Sequence, residues 1–278
     1  MRLGITAFLT DRAMGPVELA RAVEERGFDS LYLPEHTHLP VGADVPPALV
    51  AGVAGDEYRR SLDPFTALAA AAAVTARIRL GTGVALVAQH DPIVLAKQVA
   101  TIDWLSGGRF VLGAGFGWNR AEAADHGVDF THRRAVAREK VLCMRALWTD
   151  ERPEFHGAHV ELPPCWAWPK PRQARLPVLL GGAAGPRLFA AVAEYGDGWM
   201  PIGGSGLAAG IAALRRRAAA VGRDPAELEV VPFGTIPDEG KLAHYRDVGA
   251  TEVVLRVPAG PRSAMLRVLD DYARYVGC

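Results

Sequence analysis

Short apolar runs that do not alternate with polar residues recur along this chain, each followed by a stretch of helical length. That rhythm limits the available folds more than any single motif does. The runs fall at Leu3–Phe8, Ser30–Pro34, Ile78–Leu86, Phe110–Gly115, Val178–Leu180, Gly198–Pro201, Leu228–Gly234 and Glu252–Val257. A continuously apolar strand is one covered on both faces, as in a parallel sheet. Between the runs the sequence predicts helices over Pro16–Arg26, Pro64–Thr75, Pro92–Leu105, Arg133–Trp148, Pro186–Tyr195, Leu207–Val221, Glu239–Val248 and Pro261–Val276. Asp63-Pro64 and Asp91-Pro92 set proline in a first turn, where its missing N–H is harmless. Gly27, Gly196, Gly222 and Gly249 follow helix ends, the usual place for a glycine stop. Eight strand–helix units close more naturally into a (β/α)8 TIM barrel than into an open doubly wound sheet. No linker divides them, so one α/β barrel domain over residues 1–278 is expected.

Composition removes several function classes. Lys plus Arg and Asp plus Glu are each 31, without a basic stripe or an acidic tail. Nucleic acid and an anionic membrane are therefore not expected as partners. Cys143, Cys165 and Cys278 have neither disulfide-framework nor zinc spacing, and no signal peptide or spanning segment opens the chain. A cytoplasmic protein acting on a small molecule is the expectation. Two connections exceed the barrel rhythm: Glu35–Leu62, after the second strand, and Thr149–Leu176, before the fifth. Both read as walls or lids of a site, with the aromatic residues of the second buried.

In a barrel the chemistry sits at the C-terminal strand ends. Those ends hold Glu35, His36 and His38; Gly83-Val84; Gly115, Phe116, Gly117, Trp118 and Asn119; and Gly181-Gly182-Ala183-Ala184-Gly185. Glycines before a helix let backbone amides approach an anion, yet the same pattern also serves a plain turn, and on the motif alone the turn is favoured. His36 and His38 lack the partners a metal needs, so no metal is expected. His36 fits a proton donor or acceptor as well as a loop histidine held by a hydrogen bond. Glu35 reads as a partner for a lysine or arginine. Lys97, Gln98, Thr101, Asp103 and Arg109 read as a structural network at the entry to the fourth strand.

In this order, GFDSLYLPEH (Gly27–His36), RIRLGTGV (Arg77–Val84), DPIVLAKQVATIDWLSGGRFVLGAGFGW (Asp91–Trp118), FHG (Phe155–Gly157) and LLGGAAGPRLFAAVAEYGDGWMP (Leu179–Pro201) resemble the luciferase-like monooxygenase superfamily, in particular its coenzyme F420-dependent oxidoreductase branch. The resemblance covers most of residues 1–200; beyond Gly203 only the strand–helix rhythm is shared. It implies a (β/α)8 barrel binding F420 or FMN at its C-terminal mouth. The cofactor phosphate would sit on the backbone of Gly181, Gly182, Ala183 and Ala184. A non-prolyl cis peptide would fall at Gly83-Val84 behind the ring, Asn119 would touch the cofactor, and His36 would lie near the redox centre. Phe116 stands where sugar-phosphate dehydrogenase relatives carry an acid, which argues against that activity.

The resulting expectation is F420-dependent hydride transfer to or from a mostly apolar organic molecule. Phe116, Trp118, Trp166 and Trp168 would shape the substrate pocket. The alternative is an FMNH2-dependent monooxygenase using O2, supplied by a flavin reductase. A non-redox barrel enzyme relying on Glu35 and a cofactor-free partner subunit rank lower. A homodimer is the expected assembly.

Overall fold

The computed structural model describes residues 1–42 and 56–277. Its strands, in chain order, are β1 (Arg2–Thr6), β2 (Ser30–Leu33), β3 (Arg79–Thr82), β4 (Phe110–Ala114), β5 (Phe155–His156), β6 (Glu161–Leu162), β7 (Val178–Gly181), β8 (Gly198–Met200), β9 (Glu229–Val230), β10 (Phe233–Thr235) and β11 (Glu252–Arg256). Apart from the antiparallel β5–β6 ribbon, they form one parallel sheet in the order β10-β11-β1-β2-β3-β4-β7-β8-β9.

The two end members, β9 and β10, are halves of a single pass across the sheet. Pro232 lies between them and has no N–H to give a ladder, so the expected run Leu228–Gly234 is interrupted there. Its backbone still bonds on both sides. The Val231 amide donates to Trp199 O at 2.9 Å, while Thr251 N donates to Val230 O and Val254 N to Pro232 O, both at 2.9 Å. The sheet is thereby closed, and the molecule is a (β/α)8 barrel.

The outer layer comprises α1 (Pro16–Glu25), α2 (Asp56–Arg60), α3 (Pro64–Ala72), α4 (Pro92–Leu105), α5 (Arg120–Asp125), α6 (Arg133–Thr149), α7 (Pro186–Tyr195), α8 (Leu207–Ala220), α9 (Glu239–Asp247) and α10 (Arg262–Ala273). Side-chain caps fix several starts: Asp63 accepts from Thr66 N at 2.6 Å, and Asp91 from Ile93 N and Val94 N at 2.9 Å. Such caps satisfy amides that the first helical turn leaves open. Helix α2 and the β5–β6 ribbon belong to the two long connections. Of the first connection, residues 43–55 lie outside the described residues. Among the described residues, no helix is long and apolar enough to cross a membrane.

Side chains at every second strand position fill the barrel. At the N-terminal end, Arg79 reaches Glu229 at 2.9 Å and Glu252 at 3.0 Å, and Arg2 and Ser30 complete the cluster. Above it Tyr32, Val111, Leu179, Met200, Val231 and Val254 form an apolar layer, with Val84 and Phe233 on top. Asp197, from the Gly-Asp-Gly turn, is buried and clamps Arg145 at 2.6 Å, Arg175 at 2.7 Å and Val178 N at 2.8 Å. Asp103 accepts from Phe110 N and from the Arg172 and Gln173 amides. Arg109 donates to Thr75 O at 2.7 Å. This end of the barrel is held rigid and has no chemistry of its own.

Burial alone would raise the Glu229 carboxyl, but hydrogen bonds and charge from Arg79 and Arg2 hold it below its ordinary value. A depressed carboxyl stabilises the fold above its unfolded value, and that contribution is lost as pH falls through the folded value. We predict that Arg79→Met, which leaves Arg2 as the one guanidinium facing the two carboxylates of this cluster, costs roughly 3–5 kcal/mol in urea unfolding at neutral pH. The deficit should shrink as pH falls and Glu229 protonates. A loss independent of pH would contradict the electrostatic assignment.

Candidate active site

The C-terminal strand ends converge around Val84. The Gly83–Val84 peptide is cis, and the Val84 side chain stands between β4 and β7. A Cβ on Gly181 would lie 2.7 Å from Val84 Cγ1, and one on Gly115 would overlap Val84 Cγ2. Glycine at both positions is therefore a packing requirement, leaving room for this side chain at the mouth.

Beyond β7 the chain passes through Gly182, whose φ of +151° favours glycine, into Ala183, Ala184 and Gly185, and then into α7. The Gly182 amide, expected among the phosphate donors, is donated instead to Met200 O at 3.3 Å, and Gly182 O accepts from Trp199 Nε1 at 2.8 Å. The amides of Ala183, Ala184 and Gly185 donate to no partner among the described residues. Ala183 and Ala184 are exposed, and α7 starts without a side-chain cap. The backbone thus offers a short run of open donors at the positive end of a helix.

Across the mouth, β2 delivers Glu35 and His36. Glu35 is buried and accepts from Leu86 N at 2.6 Å, with its other oxygen 2.8 Å from His90 Nε2. It pins the loop after β3 to the end of β2, and its partner is a histidine and a backbone amide, where a lysine or arginine was expected. The partner differs because the loop folds back over β2 and brings His90 within reach. His36 is buried and has Nδ1 at 3.0 and 3.1 Å from the two oxygens of Glu122, a residue that is fully buried. Its ring lies 4.9 Å from that of Tyr58 and 5.7 Å from that of Trp118. His36 Nε2 donates to and accepts from no described residue, and it is not sealed from solvent.

Asn119 caps α5 through Oδ1, which accepts from Ala121 N at 3.1 Å and Glu122 N at 3.2 Å. Its Nδ2 is buried without a partner among the described residues. An unpaired buried amide group costs stability unless a ligand accepts from it. Together, the open amides of residues 183–185, the unpaired Asn119 donor and the glycine-bounded Val84 fit a flat, phosphate-bearing cofactor.

Two of the four residues expected to line the substrate pocket lie elsewhere. Trp166 and Trp168 are 69% and 59% exposed. They sit on the outer flank, where Lys97 Nζ donates to Trp168 O and the Lys170 ammonium lies 5.2 Å from the Trp168 ring. The connection from α6 to β7 runs down the outside of α4, so its tryptophans cannot roof the mouth. Phe116 is half-buried against the cluster of Ala88, Ala123, Val128 and Ala137, with the Arg134 guanidinium 4.3 Å from its ring. Trp118 stands beside His36, 5.7 Å away ring to ring.

Glu122 and Tyr58 are the residues that the sequence motifs did not mark. Tyr58 arrives on α2, which Arg256 holds through Glu57 at 3.2 Å. The FHG turn is also pinned. Glu139 accepts from the amides of Ala158, His159 and Val160 at 3.1, 2.6 and 3.0 Å, so the β5–β6 ribbon is a fixed wall of the second connection. Among the described residues, no three His, Cys, Asp or Glu side chains converge as metal ligands.

The barrel mouth therefore carries open backbone amides after β7 and a buried histidine after β2. The family model described as luciferase-like monooxygenase matches residues 11–237, and the chain belongs to that family. An uncharacterized protein of Mycobacterium tuberculosis is 43% identical over 279 residues, covering 99% of this chain and 96% of its own length. A phthiodiolone/phenolphthiodiolone dimycocerosates ketoreductase of the same species is 29% identical over 81% of this chain and 62% of the relative. Among solved structures, monooxygenase RslO1 from Streptomyces bottropensis superimposes with a TM-score of 0.78 at 22% identity, covering 99% of this chain and 98% of that one. An F420-dependent secondary alcohol dehydrogenase in complex with an F420–acetone adduct gives 0.77 at 18% identity with the same coverage.

Proposed function

We propose that the protein is an F420-dependent oxidoreductase that moves a hydride to or from a mostly apolar carbonyl or alcohol compound. The observation that carries this reading is the placement, on one barrel mouth, of open amides at Ala183, Ala184 and Gly185 and of a buried His36 with a free Nε2. When bound, the deazaflavin supplies the hydride chemistry. The chain's own part is to hold the phosphate on those amides and the N-terminus of α7, and to receive the ring against Val84. Asn119 Nδ2 donates to the cofactor, and His36 Nε2 handles the substrate proton. Trp118 and Tyr58 bound the pocket beside His36 and exclude water from it. The ketoreductase relative and the alcohol dehydrogenase neighbour support carbonyl–alcohol chemistry.

The family's monooxygenase members favour one second reading, in which the same seat takes FMNH2 and the substrate meets O2. Backbone donors grip either phosphate, so the seat does not choose between them. Anaerobic titration of the purified protein with F420 and with FMN, followed by fluorescence, separates the readings. We predict F420 binding that Gly182→Val abolishes without unfolding the chain and that His36→Ala leaves intact. His36→Ala should lower turnover roughly 10²–10⁴-fold. Binding of FMN alone would overturn the deazaflavin assignment.

A homodimer is also proposed, on the strength of α4, whose inner residues Leu95, Val99 and Ile102 are buried while Ile93, Val94 and Leu105 are 48–56% exposed. A helix apolar on both faces has a second surface to cover, and a second copy of this chain is the proposed cover. Light scattering should then give twice 29.7 kDa, with Val94→Glu shifting the mass to the monomer. A monomeric wild type would contradict it.

A further inference from the structure

The pairing of Glu122 with His36 points past the identity of the cofactor to the way the proton is handled. We propose that Glu122 is the positioning residue of this site. By accepting from Nδ1 it holds the imidazole of His36 as the Nδ1–H tautomer and leaves Nε2 as the working nitrogen. The proposal rests on the reading of His36 as the group that handles the substrate proton.

The geometry permits little else. An ionised carboxylate only accepts hydrogen bonds, so the nitrogen facing it must carry the hydrogen. Both Glu122 oxygens lie within hydrogen-bond distance of Nδ1, at 3.1 and 3.0 Å, and His36 is the carboxylate's partner among the described residues. Glu122 is fully buried, and a buried carboxylate without a partner is strongly disfavoured. The contact is therefore obligatory for the folded chain. The carboxylate is also held in place: its backbone amide donates to Asn119 Oδ1 at 3.2 Å, in the first turn of α5.

The ring cannot easily turn over. Tyr58 lies 4.9 Å away at 70° and Trp118 lies 5.7 Å away at 60°, and the His36 carbonyl accepts from Ser61 Oγ at 3.0 Å. Nε2 has no partner among the described residues. Setting which ring nitrogen works by binding the other one is the ordinary route by which a neighbour orients an imidazole.

The proton step balances within the pair. When a substrate O–H bond breaks, its electron pair stays on oxygen and a new N–H bond forms from the Nε2 lone pair. The ring becomes an imidazolium carrying hydrogen on both nitrogens. Glu122 faces the new positive charge and keeps its contact with Nδ1, whose hydrogen does not move. In the reverse direction Nε2 returns its proton to oxygen.

The test uses the full chain labelled with 15N-histidine and no cofactor, with His36→Gln assigning the resonances. Long-range 1H–15N spectra of the neutral ring should show His36 as the Nδ1–H form alone. Glu122→Leu should shift it towards the Nε2–H form that free histidine favours. Glu122→Gln, whose carbonyl still accepts, should restore Nδ1–H and provides the reading if the leucine variant does not fold. An Nε2–H wild type, or Nδ1–H fully retained in folded Glu122→Leu, would overturn the proposal. F420 and FMN titration of the same samples reports separately. Failure of the wild type to bind either cofactor would sink the hydride reading while the tautomer result stands.

Discussion

Closure of the sheet along residues 229–235 is the constraint on which the rest depends. A parallel strand can be satisfied only by neighbours on both sides, and here the last gap is bridged by a segment that proline interrupts. Because the Pro232 carbonyl still accepts from Val254 N, the seam holds although one donor is missing. Closure sets the ends of β2, β3, β4 and β7 around one mouth, so that His36, Val84, Asn119 and the amides after Gly182 lie on the same rim despite wide separation in sequence.

The two ends of the barrel then divide the work. The N-terminal end is held by opposite charges: Arg79 between Glu229 and Glu252, and Asp197 among three arginines. These contacts tie the strand starts to one another and to the surrounding helices. At the C-terminal end the groups are left incomplete. Glycines take the place of side chains around Val84, and among the described residues the amides of 183–185 and Asn119 Nδ2 find no acceptor. Unsatisfied polar groups are tolerated at a site because a ligand completes them.

Much of this was legible in the sequence because it is local. Strand periodicity, proline-started helices and the Gly181–Gly185 turn are each written in a few consecutive residues, as was the position of His36 at a strand end. What escaped depends on long-range pairing. Glu122 lies 86 residues from His36 and looks like an ordinary charge in a short helix, and Tyr58 reaches the mouth on α2, which long-range contacts such as Arg256–Glu57 and Arg60–Asp11 dock there. Trp166 and Trp168 misled for the opposite reason: tryptophans in an insertion suggest a buried roof, whereas theirs runs down the outside of α4. Glu35 reads as an ion-pair partner until the loop after β3 is seen to fold back and present His90.

The proposed phosphate seat is the backbone at Ala183, Ala184 and Gly185. Amide hydrogen exchange measured with and without saturating F420 tests it. Slowed exchange is expected at those three amides, and at the start of α7, on cofactor addition. Unchanged exchange there, with protection appearing at another strand end, would contradict it.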